Sequence, residues 1–128
     1  MSIRIVRLGS RRAANEGLRI GTVRRPPRGV AKKDFSRLDY YDVWLPELSP
    51  SAALVGFAQK ATTAAQWAQF AKRYRREMDA PEARRLLDLL VALSRTTNFS
   101  AGCYCEDESH CHRSVLRAIL RERGAEVR

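Results

Sequence analysis

Short apolar segments typical of β-strands alternate along this chain with longer segments whose apolar residues recur at helical spacing. Residues 3–8, 18–23 and 99–104 are the clearest predicted strands, and Tyr40 to Leu45 is a fourth. This order predicts an α/β fold in which helices flank a small parallel or mixed sheet in a three-layer arrangement. The pattern does not determine the order of the strands in the sheet.

Four helices are predicted between and after these strands. Ser49 and Pro50 are typical of an N-cap and a first-turn proline, and they open a short helix that runs to about Lys60. A capping box at residues 63–66 is followed by apolar residues at helical spacing, namely Trp67, Phe70, Tyr74 and Met78. A third helix begins near Pro81, and a fourth covers residues 114–123 before Gly124.

The length of 128 residues suits one ordinary hydrophobic core, so residues 1–128 are expected to form a single domain. No run of about 18 apolar residues is present, and the N-terminus alternates apolar and basic residues, so we expect neither a membrane span nor secretion. The three cysteines are clustered in sequence, which is a poor framework for disulfides. A reducing, cytoplasmic location is therefore expected, and the oligomeric state is left open.

The net charge of +10 is concentrated near the N-terminus. Residues 1–37 contain eleven Lys and Arg and two acidic residues, which gives +9, and the rest of the chain contributes +1. Clustered basic residues favour a polyanionic partner, because they release counterions when they meet phosphates. A solvated basic surface explains the same asymmetry.

Three arginines stand in the sequence Arg-Arg-Pro-Pro-Arg-Gly, at residues 24–29, which we call the arginine loop. The two prolines prevent regular structure, so the arginines are expected on a stiff loop just beyond a strand end. Ligands of open α/β folds gather beyond the carboxyl ends of strands.

All three cysteines, both histidines and an arginine lie within residues 103–113, which we call the thiol turn. The turn falls at a predicted transition from strand to helix. Three kinds of chemistry fit this concentration of groups, and each makes different demands on geometry.

The first is an anion site. Unpaired N–H groups at the start of the last helix, together with the planar guanidinium of Arg113, suit a phosphate or carboxylate. If the arginine loop folds nearby, it supplies the other half of the clamp. The neighbouring acidic residues 106–108 oppose an anion unless they point outward.

The second is a reactive thiol. Cys103 at the strand end and Cys111 at the helix start are candidate nucleophiles, because a helix N-terminus and neighbouring cations favour a thiolate. His112 is the candidate base. A small buried thiol without reactivity is the simpler explanation.

The third is zinc. Cys103, Cys105 and Cys111, with either His110 or His112, supply the Cys3His set of a closed tetrahedral site. The spacing is unusual, and the adjacent Cys111 and His112 are expected to strain to reach one ion.

Two pairs outside the thiol turn place an aromatic ring near a carboxylate, as the walls of pockets do: Trp44 with Glu47, and Tyr74 with Glu77. Ordinary packing and helix-surface charge are the simpler explanation of each pair taken alone.

The chain resembles the domain of unknown function 488 family, which includes the YeaO-like proteins. The resemblance covers nearly the whole chain and rests on an ordered combination of residues: Arg24, Pro27, Arg28, Gly29, Lys32, Lys33, Trp44, Glu47, Pro50, Ser51, Phe70, Tyr74, Glu77, Cys103, Cys111, His112 and Arg113. It implies a Rossmann-like α/β fold in which the arginine loop, the Trp44 segment and the thiol turn face one pocket. Cys105 stands where an acidic residue is common in the family, and Pro26 where an aromatic is usual.

The leading hypothesis is that the domain binds a phosphate-bearing ligand, either a nucleotide or nucleic acid. Arg24, Arg28 and Arg113 are the predicted anion ligands, and Trp44, Glu47 and Tyr74 are predicted to line the pocket. The alternatives are an enzyme with Cys103 or Cys111 as nucleophile and His112 as base, and an interaction module stabilised by zinc. The sequence leaves open whether the protein catalyses a reaction.

Overall fold

Four parallel strands form one sheet in the computed structural model, which describes all residues from 1 to 128. They are β1 (Ile3–Arg7), β2 (Leu18–Gly21), β3 (Val43–Trp44) and β4 (Phe99–Cys103). The spatial order is β1-β4-β2-β3, and every pair is parallel. This confirms the predicted α/β class.

The last strand in sequence occupies the centre of the sheet. Phe99 in β4 pairs with Ile3 on one side and with Leu18 on the other. All five residues of β4 are buried, because neighbours cover both of its edges and both of its faces. The four carboxyl ends therefore lie along one edge of the sheet, and the segments that follow them meet there.

Four α-helices follow: α1 (Ala52–Lys60), α2 (Ala64–Met78), α3 (Pro81–Leu93) and α4 (His112–Glu122). The predicted capping box of α2 is present, since Thr63 accepts from the Gln66 N–H and the Gln66 side chain accepts in return. The first helix begins later than its predicted start. Its N-cap is Ser51, whose hydroxyl accepts from the Leu54 N–H at 3.2 Å.

One predicted strand is shorter in the structure than the sequence indicates. The strand predicted over residues 40–45 is reduced to Val43–Trp44. The ring of Tyr41 packs where a side chain on Gly21 would lie. The C-terminus forms a single parallel bridge from Val127 to Ile3 at the outer edge of β1. Three single-turn 3-10 helices complete the chain, at Lys32–Asp34, Pro46–Leu48 and Glu108–His110.

All four α-helices contribute to one core of 18 buried residues, which covers the sheet face carrying Ile3, Ile20, Phe99 and Ala101. The opposite face is covered by loop segments. On that side Arg19 is buried, and its guanidinium donates to both carboxylate oxygens of Glu16, at 2.7 and 2.9 Å. The covering layers are therefore unequal, with helices on one face and, on the other, loop segments that hold this polar network and a second apolar cluster that includes Leu8 and Tyr41. No helix combines the length and apolarity needed to cross a membrane.

Candidate functional site

The arginine loop and the thiol turn meet at the carboxyl edge of the sheet. A cavity of about 800 Å³ opens there, and residues from both segments line it. Its polar walls are Arg24, Arg25, Arg28, Cys103, Cys105, Cys111, His110 and His112. Its apolar wall comes from α1 and α2 and includes Val55, Ala58, Trp67 and Phe70.

A second cavity of about 630 Å³ adjoins the first. Arg7, Ser10 and Tyr40 line it, and Arg25, Arg28 and Tyr104 line both cavities. The Tyr104 hydroxyl donates to the Arg25 carbonyl at 2.9 Å and so ties the arginine loop to the thiol turn. We refer to the two cavities together as the carboxyl-edge cleft.

The three arginines of the loop are not equivalent. Arg24 donates from its guanidinium to the carbonyls of Pro50 and Ser49, at 3.1 and 3.2 Å, and is held against the approach to α1. Arg25 and Arg28 are exposed, and their guanidinium groups have no partner within the chain. Two cationic side chains are thus free to meet a ligand in the cleft.

The side chains of the thiol turn converge on one point. The sulfurs of Cys103 and Cys105 lie 3.7 Å apart, and the sulfur of Cys111 lies 3.7 Å from Nδ1 of His112. The ligating atoms of Cys103, Cys111 and His112 all lie within 4.8 Å of one another. Cys103 and Cys111 are buried, whereas Cys105 is exposed. No disulfide joins them.

The short distances between the sulfurs shift their pKa values in opposite directions. Hydrogen bonding to Cys105 and Cys111, together with burial, raises the pKa of Cys103. Hydrogen bonds from Cys103 and Cys111 lower the pKa of Cys105 to about 3. The hydrogen bond from Cys103 also lowers the pKa of Cys111. The cluster therefore stabilises a thiolate that accepts a hydrogen bond from a neighbouring S–H group.

His112 is oriented by the neighbouring strand. Its Nε2 lies 3.0 Å from the hydroxyl oxygen of Thr22, and that hydroxyl donates to the Gly102 carbonyl at 3.0 Å. When the hydroxyl proton goes to Gly102, Nε2 carries a hydrogen and donates it to Thr22. The lone pair of Nδ1 then faces Cys111.

Arg113 lies behind the thiol turn and does not line the cleft. Its side chain is 3% exposed, and Nη2 donates to the Cys105 carbonyl at 2.5 Å. Its Nε is buried without any hydrogen-bond partner. The guanidinium therefore contacts the backbone of the thiol turn at Cys105, on the side that does not line the cleft.

The acidic residues of the turn have partners within the protein. Glu106 lies 3.5 Å from Arg7, and Glu108 accepts two hydrogen bonds from Arg117. Asp107 accepts from the N–H and hydroxyl of Ser109. None of the three lines either cavity, although Glu106 pairs with Arg7, which lines the second one.

The other predicted pocket residues are placed around the cleft and not in its walls. Trp44 is 40% exposed and donates from Nε1 to the Val23 carbonyl at 2.7 Å. Glu47 is exposed on a single-turn helix. Tyr74 is fully buried below the cleft, and its hydroxyl donates to the Leu48 carbonyl at 2.7 Å. Glu77 accepts from the N–H and hydroxyl of Ser51 and so fixes the start of α1.

Several residues in the walls of the cleft were not predicted from the sequence. Arg25 belongs to the predicted arginine loop, but the sequence does not indicate whether its guanidinium has a hydrogen-bond or ion-pair partner. Trp67 was assigned to the core stripe of α2, yet its ring stacks on His110 at 4.9 Å and faces the cavity. Tyr104 follows directly after β4, a position that marks it for the carboxyl edge.

Comparison with known proteins gives one match. A family model described as the active DUF488-N3 subclade matches residues 3–124. No curated protein and no solved structure matches the chain.

Proposed function

The chain belongs to the DUF488 family, and we propose that its carboxyl-edge cleft binds a small phosphate-bearing ligand of nucleotide size. The observation that carries this proposal is the free pair Arg25 and Arg28, which stands over a cavity with an apolar wall. The thiol turn forms the opposite side of the same cavity.

Two unpaired guanidinium groups in the wall of the cleft support an anion. Guanidinium groups present planar pairs of donors that match phosphate oxygens, and Arg25 and Arg28 have none of their donors engaged. Helix α4 begins at the cavity wall, and Cys111 at its N-cap makes no side-chain hydrogen bond to the first turn. The positive end of the α4 dipole therefore adds to the attraction of the two arginines.

The shape of the cleft supports a nucleotide in preference to a polymer. A volume of about 800 Å³ falls in the range of small-molecule pockets, roughly 300–1,000 Å³. Trp67 and Phe70 belong to the apolar wall and supply aromatic edges for contact with a base. Two of the N-terminal arginines are unavailable to a polyanion, since Arg12 pairs with Asp39 and Asp42 and Arg19 is buried.

Tryptophan fluorescence offers a direct test. The chain contains only Trp44 and Trp67, so Trp44→Phe leaves Trp67, in the cavity wall, as the single reporter. Nucleoside monophosphates at low ionic strength are expected to change its emission saturably, and the parent nucleosides are expected to bind at least tenfold more weakly. Added salt has to weaken the phosphate-dependent part of binding.

The arginine assignment is tested with matched variants. Arg28→Ala is expected to raise the Kd about tenfold, the cost of one charge-assisted hydrogen bond. Arg84→Ala removes the same charge from the exposed surface of α3 and should leave the Kd unchanged. The proposal fails if no nucleotide binds, or if Arg25→Ala and Arg28→Ala both bind as the parent does. Binding of an oligonucleotide without binding of mononucleotides would assign the cleft to nucleic acid instead.

A second candidate function is cysteine-dependent catalysis, favoured by the contact of 3.7 Å between the Cys111 sulfur and His112 Nδ1. In this scheme Nδ1 takes the thiol proton and the sulfur bonds to an acyl carbon. The leaving group departs with its electron pair and the proton from Nδ1, and water then hydrolyses the thioester to restore the thiol.

This scheme requires a free Cys111 thiol that reacts with an electrophile. Iodoacetamide should then modify Cys111 rapidly at neutral pH in the protein as purified, and His112→Gln should slow that modification at least tenfold. Equal rates in the parent and the variant would remove the basis for the scheme. A tightly bound metal on Cys111 excludes it.

A further inference from the structure

We infer that the thiol turn is a tetrahedral zinc site whose ligands are the sulfurs of Cys103, Cys105 and Cys111 and the Nδ1 atom of His112. The metal would join the end of β4 to the start of α4. This inference is independent of the proposed ligand in the cleft.

Two of the distances between the donor atoms match those of a zinc tetrahedron, and Cys105 joins the group of Cys103, Cys111 and His112 through its contact with Cys103. Zinc holds sulfur at about 2.3 Å and imidazole nitrogen at about 2.0–2.1 Å, so neighbouring donors in a tetrahedron lie about 3.5–3.8 Å apart. The Cys103–Cys105 and Cys111–His112 contacts are both 3.7 Å. The widest separation among the donors of Cys103, Cys111 and His112 is within 4.8 Å, so closure needs a movement of about 1 Å.

The backbone explains how adjacent residues can serve one ion. Cys111 is extended, with φ −143° and ψ 154°, and His112 opens α4. The 3-10 helix at Glu108–His110 folds the chain back, so that Cys111 returns to the end of β4. The expected strain between Cys111 and His112 is therefore not present.

The surroundings of the donors are those of a metal site. A ligating histidine donates its second ring N–H to a protein acceptor, which fixes the tautomer and orients the ring. The Thr22 hydroxyl provides that acceptor for His112 and leaves Nδ1 free to ligate. The other histidine of the turn is engaged elsewhere, because His110 stacks on Trp67 and contacts Asp107.

Charge balance accounts for the buried arginine. Three thiolates and a neutral imidazole around Zn²⁺ leave a net charge of −1. Arg113 supplies a buried +1 beside the turn, and its Nε has no hydrogen-bond partner inside the protein. A buried guanidinium without a carboxylate is costly, so an anionic cluster beside it explains why it is retained.

Metal analysis of the full-length chain tests the site. Protein produced in medium supplemented with zinc and purified without chelators is expected to contain about one zinc per chain. Metal-free protein titrated with Co²⁺ under reducing conditions should give the intense visible bands of tetrahedral, thiolate-bound cobalt. The inference is overturned if the purified chain holds no zinc and the reduced chain takes up neither Zn²⁺ nor Co²⁺.

Individual ligands are tested with substitutions that spare the core. Cys105 is exposed, so Cys105→Ser should fold and yet lose more than the 10- to 100-fold in metal affinity that an outer partner contributes. His112→Gln should have the same effect, whereas His110→Gln should bind metal as the parent does. Unchanged affinity in Cys105→Ser, or loss of metal in His110→Gln and not in His112→Gln, would refute the ligand set.

Discussion

The hydroxyl oxygen of Thr22 lies 3.0 Å from Nε2 of His112, and this contact decides which ring nitrogen faces the thiols. Thr22 stands immediately after β2 and is fully buried. The central strand β4 supplies the carbonyl of Gly102 that fixes the hydroxyl proton. Thr22, after β2, and Gly102, in β4, thus together orient the imidazole ring of His112.

Replacing Thr22 with Val removes the acceptor while keeping the side-chain shape. Zinc affinity should fall about 10- to 100-fold, because the ring loses the partner that fixes its tautomer. Competition with a chromophoric chelator measures this affinity. Thr22→Ser restores the hydroxyl and should recover most of the loss, and a Thr22→Val protein with parental affinity would show that the contact does not orient the ligand.

Substitution by Ala is expected to change the free energy of unfolding in opposite directions at two glycines. A Cβ on Gly102 would lie 2.5 Å from the Val6 carbonyl oxygen, inside the sheet, so Gly102→Ala should lower the free energy of unfolding by about 3 kcal/mol. A Cβ on Gly56 in α1 meets no atom within 4 Å, so Gly56→Ala should raise it by about 0.5–1 kcal/mol. Urea unfolding measures both, and equal effects would contradict the packing described for Gly102.

The buried pair Glu16 and Arg19 anchors the loop face of the sheet. Glu16 also accepts from the Ser100 hydroxyl at 2.8 Å. Because Glu16 is the carboxylate partner of the buried Arg19, Glu16→Leu leaves Arg19 with an uncompensated buried charge. The expected loss is about 3–5 kcal/mol of unfolding free energy. Asp34→Ala, which breaks an exposed pair with Arg37, should cost under about 0.5 kcal/mol. A small loss in Glu16→Leu would mean that water reaches Arg19.

Acid should weaken the contact between Arg12 and Asp42. Burial alone would raise the pKa of Asp42, but hydrogen bonds from Arg12 and Ser36 lower it to about 2, from 3.8. A lowered pKa stabilises the fold above pH 3.8 and loses this effect as the pH falls towards 2. Because Asp42 is partly exposed, the contribution is about 1 kcal/mol after solvent screening.

The unfolding free energies of the parent and Asp42→Asn, measured from pH 7 to pH 2, isolate this effect. Their difference should be constant above about pH 4 and shrink below it. Arg12→Ala should remove most of the pH dependence that belongs to Asp42. A difference that does not change with pH would contradict the lowered pKa of Asp42.

Local signals in the sequence located the four helices, although α1 begins two residues later and α4 two residues earlier than predicted. The capping box at Thr63 and Gln66 lies within four residues, so its hydrogen bonds can form without help from the rest of the chain. The same is true of Gly124, whose φ of 94° ends α4 at the predicted place. Such features follow from residues that are close in sequence.

Burial of charged residues could not be predicted in this way. The polar network around Arg19 includes Ser100, through Glu16, and Ser100 lies on a strand 84 residues from Glu16. Arg113 was expected at the anion, but the first turn of α4 places it behind the thiol turn. The convergence of Cys103 with Cys111 and His112 depends on the fold-back at residues 108–110. These relationships are set by tertiary contacts.

The central position of β4 bears on how the chain is made. The two N-terminal strands do not pair with each other, because the strand at residues 99–103 lies between them. During synthesis the edges that face each other stay open until residues 99–103 have left the ribosome, and such long-range pairing folds slowly. The thiol turn emerges directly after that strand, so the metal ligands reach the growing molecule only at the moment when the sheet can close.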